Sequence, residues 1–195
     1  DRITFVTQDQ PRGYGDALLR ARGFMANEPV LHLVGDHLYL SRIGKSCAQQ
    51  LIDAAQAEQC AVSAVQPTRE HMLPYFGTVG GNRLPRSEHL YEVRRVIEKP
   101  TPTLAEQELT ISGFRSGTYL CFFGMHVLTP GAMDMLAELA QRHPQRSIAL
   151  AEALNELAAR ERFLACEIAG SRYNIGMKYG LFTAQVAFSL AGVDR

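Results

Sequence analysis

Short apolar runs, alternating with longer stretches that carry one apolar face, restrict this chain more than any other feature. Residues 3–7 are apolar and β-branched, residues 30–34 form an apolar stretch that stops at Gly35-Asp36, and residues 61–65 form a third. Runs of this length bounded by turn residues are read as buried strands. Between the first two, a helix starting near Tyr14 places Ala17, Leu18, Ala21 and Met25 on one face. A second helix over 46–58 opens on Ser46, whose hydroxyl suits a helix N-cap, and aligns Leu51, Ile52 and Ala55. Repeated strand, helix and strand make the unit of a doubly wound sheet. The chain therefore predicts an α/β fold with a mainly parallel sheet flanked by helices.

From about residue 67 to 102 the rhythm changes to Pro- and Gly-rich turns around two short strands, 75–79 and 90–97, which reads as a substrate-facing excursion. A strand follows over 119–128, and helices fit 131–141, 147–160 and 179–190. No repeat, low-complexity linker or composition break divides the chain, so residues 1–195 are expected to form one domain; 46% hydrophobic content is enough for one substantial core. Twenty basic and twenty acidic residues balance, which removes any net pull toward nucleic acid or an anionic membrane. No apolar run reaches the roughly 20 residues that cross a bilayer, and the N-terminus lacks the layout of a signal peptide. Cys47, Cys60, Cys121 and Cys166 are scattered without a Cys-x-x-Cys pair, as buried thiols in a reducing cytoplasm would be.

Four places carry candidate chemistry. The segment from Gln8 to Gly15 joins the first expected strand to the first helix, where open α/β sheets bind ligands. Gln8 could read a base edge through its amide, and Gly13 admits close approach, but the full Gly-x-Gly-x-x-Gly fingerprint is absent and an ordinary turn is the competing reading. Asp36 leaves the end of an apolar strand. That placement suits a Mg²⁺ ligand, because Mg²⁺ needs only one or two carboxylates; a capping Asp is the alternative, and His37 beside it is expected in solvent. Glu98-Lys99-Pro100 ends another strand, so that Lys99 could bind phosphate and Glu98 could accept sugar hydroxyls, with a surface ion pair as the rival. Asn174 and Lys178 lie just before the last helix, at an entrance that favours anions unless Asn174 serves only the turn.

Taken in order, FVTQDQPRGYGDA, LVGDHLYL, YFGTVGG, VRRVIEKP, TYLCFFGMHVLTP and SRYNIGMKYGLFTA resemble successive blocks of bacterial UTP-glucose-1-phosphate uridylyltransferases over nearly the whole chain. The resemblance implies a Rossmann-like nucleotidyltransferase sheet, represented by its C-terminal two-thirds and lacking the N-terminal strand with its Gly-rich loop. It also implies transfer of a uridylyl group from UTP to glucose 1-phosphate, with Mg²⁺ as cofactor. Gln8 and Gly13 would contact uracil, Asp36 would hold Mg²⁺, and Gly77, Glu98 and Lys99 would bind glucose 1-phosphate. Lys178 would approach the phosphates, with Asn174 nearby, and Asp36 and Lys99 would carry the catalysis. The sequence departs from the family's pattern at three points. Nothing before Asp1 supplies the Gly-rich loop, so the chain alone is expected to be inactive; Asn174 replaces the usual Asp; and 146–152 replaces Gly-Glu-Ile-Gln-Leu-Thr-Asp. A catalytically weakened homologue that binds a nucleotide sugar, or an enzyme using another nucleoside triphosphate, are the alternatives. Oligomeric state, self-association included, is left open.

Overall fold

The computed structural model of the protein describes residues 3–192. The chain enters through α1 (Tyr14–Arg20) and a 3₁₀ turn (Arg22–Phe24), then forms β1 (Val30–Leu33), β2 (His37–Ser41), α2 (Cys47–Glu58) and β3 (Ala61–Arg69). A second 3₁₀ turn (Glu70–Tyr75) leads into β4 (Gly77–Arg83) and β5 (Leu90–Glu98), and α3 (Pro102–Glu108) precedes the long β6 (Thr118–Leu128). Then come α4 (Pro130–Arg142), α5 (Leu150–Arg160), β7 (Phe163–Glu167), β8 (Gly170–Asn174) and α6 (Gly180–Ala191). Local chemistry sets several starts. The Ser46 hydroxyl accepts from the Gln49 N–H at 3.1 Å, and the Thr101 hydroxyl accepts from the Leu104 N–H at 3.3 Å. Pro102 and Pro130 open their helices, where the missing N–H costs nothing.

Six strands form one sheet in the order β1-β6-β3-β7-β5-β4, with β4 also pairing to β6 through Thr78 and Val79. β2 and β8 make a separate two-stranded ribbon. Both faces of the large sheet are covered. On one, Cys47, Leu51 and Ala55 of α2 pack on Val62, Phe123, Met125 and Leu164. On the other, Met133, Leu136, Leu139, Leu154 and Leu157 of α4 and α5 pack on Val65, Val93, Leu120 and Phe163. Alternate residues of β3 and β7 thus point to opposite helical layers, as the period of a strand requires. No helix among the described residues is long and apolar enough to cross a membrane.

The α/β class and the helix-flanked sheet agree with the sequence reading, whereas the strand directions do not. β3 and β7 are the parallel neighbours; β1–β6, β3–β6, β4–β5, β4–β6 and β5–β7 are antiparallel. The reason is connectivity. The link from β4 to β5 is too short for a crossover, which takes a dozen or more residues, and β6 returns between β1 and β3 against both. Residues 3–7 form no strand either: Ile3 and Phe5 are 75% and 92% exposed, because β-branched propensity is expressed only beside a pairing neighbour, and no described strand pairs there. The helix expected from residue 147 begins instead at Leu150. The Ile148 carbonyl is occupied by the Gly15 N–H at 2.9 Å and the Ile148 N–H reaches the Arg12 carbonyl at 3.4 Å, which holds this stretch extended.

Leu154 is wholly buried between α5 and the sheet. Leu154→Ala is expected to lower unfolding free energy by about 2–5 kcal/mol in urea titrations, the cost of lost transfer energy plus a cavity. A loss below about 1 kcal/mol would contradict this packing.

Candidate active site

A cavity of about 420 Å³ opens where the exits of β1 and β5, the start of β4, the middle of β6 and the approach to α5 meet. Among the residues expected from sequence it brings together Asp36, Gly77, Glu98, Lys99 and Asn174. Tyr14, His37, Phe76, Phe122, Gly124, His126 and residues 149–151 complete much of the wall.

One wall follows from the β4–β5 register, which sets Gly77 opposite Glu98. A side chain at 77 would meet the Phe122 ring at 2.7 Å and Glu98 Oε2 at 3.0 Å, so glycine there keeps the wall open. Lys99 adopts the left-handed region at φ 48°, its N–H donating to the Phe76 carbonyl at 3.2 Å. A non-glycine residue pays strain for that conformation, and Pro100 then ends the strand. Glu98 is open to water yet surrounded by cavity wall; this desolvation raises its carboxyl above the usual range, with Lys99 opposing and Glu152 adding. Behind the wall, the Arg172 guanidinium lies 3.6 Å from the centre of the Phe76 ring and donates to the Phe122 carbonyl. Burial pulls its pKa down to about 10, which leaves it charged at neutral pH.

The opposite side is built by the β2–β8 ribbon, whose register pairs His37 with Asn174. The Ile175 N–H donates to the Asp36 carbonyl at 2.9 Å, tying the Asp36 turn to the turn after β8. Asn174 Oδ1 accepts from the Gly176 N–H at 2.9 Å, so Asn174 both shapes its turn and lines the cavity. His37, expected in solvent, is instead buried, with 8% of its side chain exposed. Proximity to Asp36 did not reveal this, because the space it fills exists only where β6 places Gly124.

Gln8, Gly13 and Lys178 do not line the cavity. Gln8 Nε2 donates to Asp16 Oδ2 at 2.6 Å and to the Gly13 carbonyl at 3.2 Å, closing the loop on itself. Gly13 has φ 99°, and a Cβ there would overlap the Ser147 hydroxyl, so glycine is required twice over. The loop sits beside the cavity through Tyr14, which follows it, and Ala149, which follows the Ser147 stretch. Lys178 lies in the turn before α6, its ammonium 5.0 Å from the Tyr179 ring centre.

The cavity floor is held neutral. His126 Nδ1 and Ser63 Oγ are 2.7 Å apart, and burial, with His32 adding, pushes the His126 pKa down to about 3. Burial also takes His32 down to about 4, and its Nε2 lies 2.5 Å from the Tyr14 hydroxyl. Sequence reasoning missed His37, His126 and Arg172. Gly124 interrupting a long apolar run was the one available signal for the first; the others depend on register.

The sequence profile described as "Nucleotidyl transferase" matches residues 2–186. The chain belongs to the nucleotidyl transferase family. Within the family it is similar to a UTP–glucose-1-phosphate uridylyltransferase of Streptococcus pneumoniae serotype 4, 30% identical over 97% of this chain and 60% of that protein. A UDP-glucose pyrophosphorylase solved with UDP-glucose superposes with a TM-score of 0.81 at 26% identity, covering 97% of this chain and 66% of that one. A UTP-bound enzyme of the same name from Acinetobacter baumannii, at 22% identity and TM-score 0.74 over 95% of this chain and 59% of that one, shares the fold. The chain spans about 60% of the length of the curated relatives it matches.

Asp16 anchors the Gln8 loop: its hydrogen bond from Gln8, with Arg20 and Arg12 adding, holds its carboxyl below the usual range against the opposing effect of burial. A depressed folded-state pKa gives stability above the unfolded value of 3.8 that disappears as pH falls through the folded value. Asp16→Asn is therefore expected to destabilise the chain at pH 7 and progressively less below pH about 4, as read from urea unfolding at a series of pH values. A pH-independent difference would show that the charge is not what anchors the loop.

Proposed function

We propose that residues 1–195 form one nucleotidyltransferase domain of an enzyme that transfers the uridylyl group of UTP to glucose 1-phosphate, giving UDP-glucose and pyrophosphate. The observation that carries this reading is the convergence in one cavity of Asp36 with Gly77, Glu98, Lys99 and Asn174, drawn from opposite ends of the chain. The names of the similar proteins and the UDP-glucose bound in one of them support the choice of substrates.

Lys99 is assigned to the phosphate of the sugar phosphate, as a compact charge at a fixed turn. Glu98, across from Gly77, is assigned to the sugar hydroxyls, and the open wall at Gly77 lets the ring lie against the backbone. Arg172, charged behind Phe76, adds positive potential without occupying the cavity. Gln8 and Gly13 stand at the uracil side; base reading by the Gln8 amide nitrogen requires it to leave Asp16 or share it. Lys178 would reach the phosphates from its turn beside Asn174. The sugar phosphate is the nucleophile toward the α-phosphorus of UTP. Its second pKa of about 6 leaves it ionised at neutral pH, so these residues orient and neutralise rather than abstract a proton.

Nucleotidyl transferases point to a divalent metal, and the residues present fit one. No group of three or more His, Cys, Asp or Glu forms a cluster among the described residues. Asp36, however, keeps 54% of its side chain exposed at the cavity, and one carboxylate with substrate phosphate oxygens and water suffices for Mg²⁺. When bound there, the cation would neutralise phosphate charge. The four unpaired cysteines are in keeping with a reducing cytoplasm.

UDP-glucose formation from UTP, glucose 1-phosphate and Mg²⁺ is the direct test, made on the 195-residue chain and on the longest natural polypeptide containing it. The chain alone is expected to show negligible turnover, and the longer polypeptide a rate of about 1–1000 per second. In the latter, Lys99→Ala is expected to lower kcat/KM for glucose 1-phosphate by about 10- to 150-fold, the worth of a charge-assisted contact of about 1.5–3 kcal/mol. UTP binding should change little. Equal losses for both substrates, or none, would return Lys99 to the surface.

A further inference from the structure

His37 has no part in the function proposed above, yet its side chain is enclosed on the wall beside Asp36, with 8% of it exposed. Its Nδ1 is buried without a hydrogen bond and packs against Gly124, where a Cβ would overlap it. The ring's other nitrogen, Nε2, is turned to Asp36 and lies 3.8 Å from Oδ1. Across the ribbon, Asp36 Oδ2 and Asn174 Oδ1 stand 3.0 and 3.2 Å from the place a Cβ on Gly176 would take, so both oxygens border one small space that glycine leaves empty. Two donors each about 2.1 Å from one ion can be at most about 4.2 Å apart, and the separation of His37 Nε2 from Asp36 falls within that reach.

The remaining donors are hard oxygens, one carboxylate and one amide, so an imidazole changes the class of the site. Imidazole suits ions further along the first-row series and is a poor ligand for Mg²⁺.

We propose that His37 Nε2 joins Asp36 and Asn174 as a third donor to the divalent cation, so that the site binds a borderline first-row ion such as Co²⁺ with a selectivity over Mg²⁺ that depends on His37. The inference rests on the reading of Asp36 as the cation-holding residue. In that arrangement Mg²⁺ binds through oxygen and phosphate, while Co²⁺ gains a nitrogen ligand from a ring already held in place by Gly124. The ring needs no large movement.

The test uses CoCl₂ and MgCl₂ titrated separately into the 195-residue chain, with affinity followed by NMR, and it reads no catalysis. His37→Leu is expected to weaken Co²⁺ binding by about tenfold or more and to change Mg²⁺ binding by less than about twofold. Asp36→Asn should weaken both. The unsubstituted chain supplies a readout free of any folding defect: at the first equivalent of Co²⁺, one strongly shifted, solvent-exchangeable imidazole N–H signal is expected. If His37→Leu leaves both affinities unchanged or weakens both equally, or if that signal is missing, the ring is not a ligand and the inference is overturned. Loss of both metals in Asp36→Asn would still leave the reading of Asp36 intact in those cases. If Asp36→Asn changes neither affinity, the reading of Asp36 fails and the inference fails with it.

Discussion

The cavity depends on one residue of β6 having no side chain. Gly124 sits at φ 88°, and a Cβ there would come within 2.7 Å of Val34 and 2.9 Å of the Tyr39 hydroxyl, besides overlapping His37. Its carbonyl accepts from the Val34 N–H at 3.0 Å and from the Tyr39 hydroxyl at 2.7 Å. One peptide group of the central strand thereby anchors both the end of β1 and the β2–β8 ribbon. Everything on the Asp36 side is positioned by that contact, while Phe122, two residues earlier on β6, forms the wall on the Lys99 side. β6 is therefore the common reference for two sets of polar groups that come from strands with no direct pairing to each other.

The charge distribution around this strand is also consistent. The interior face beneath the cavity carries histidines that burial keeps neutral, whereas the charged groups stand at the exits of strands or, for Arg172, behind an aromatic ring. Unpaired buried charge is expensive, so a lone guanidinium needs compensation; here a backbone carbonyl and the face of Phe76 provide it. The arrangement holds positive potential behind the cavity wall through a backbone carbonyl and a ring face.

Much of this was legible in the sequence, for reasons that can be named. Asp36 and Glu98 close apolar stretches and Lys99 follows Glu98, and the end of a strand is where a side chain enters a crevice, as the shared cavity lining of the three shows. Ser46 and the prolines opening α3 and α4 signalled local chemistry that needs no tertiary partner. Strand direction was not legible, since an apolar run has no arrow and only the length of the connections assigns one. β2 and β8 escaped notice because neither HLYLS nor GSRYN is a clean apolar or alternating run; each becomes a strand only against the other. Residues 3–7 show the converse, with the right composition and no described neighbour to pair with. Gln8 stands out by position, whereas its hydrogen bonds to Asp16 and Gly13 do not follow from spacing alone.

The ribbon has a consequence for how the protein is made. His37 through Ser41 pair with Gly170 through Asn174, so the second strand leaves the ribosome long after the first. Until then Asp36 has no Ile175 to hold its backbone, and the Gly124 anchor grips a lone strand. Long-range pairing of this kind is slow to form and is reached late on a vectorial path. A nascent polypeptide that has completed β7 but not yet reached residue 170 holds every strand of the large sheet and still lacks the β8 half of the ribbon that borders its cavity.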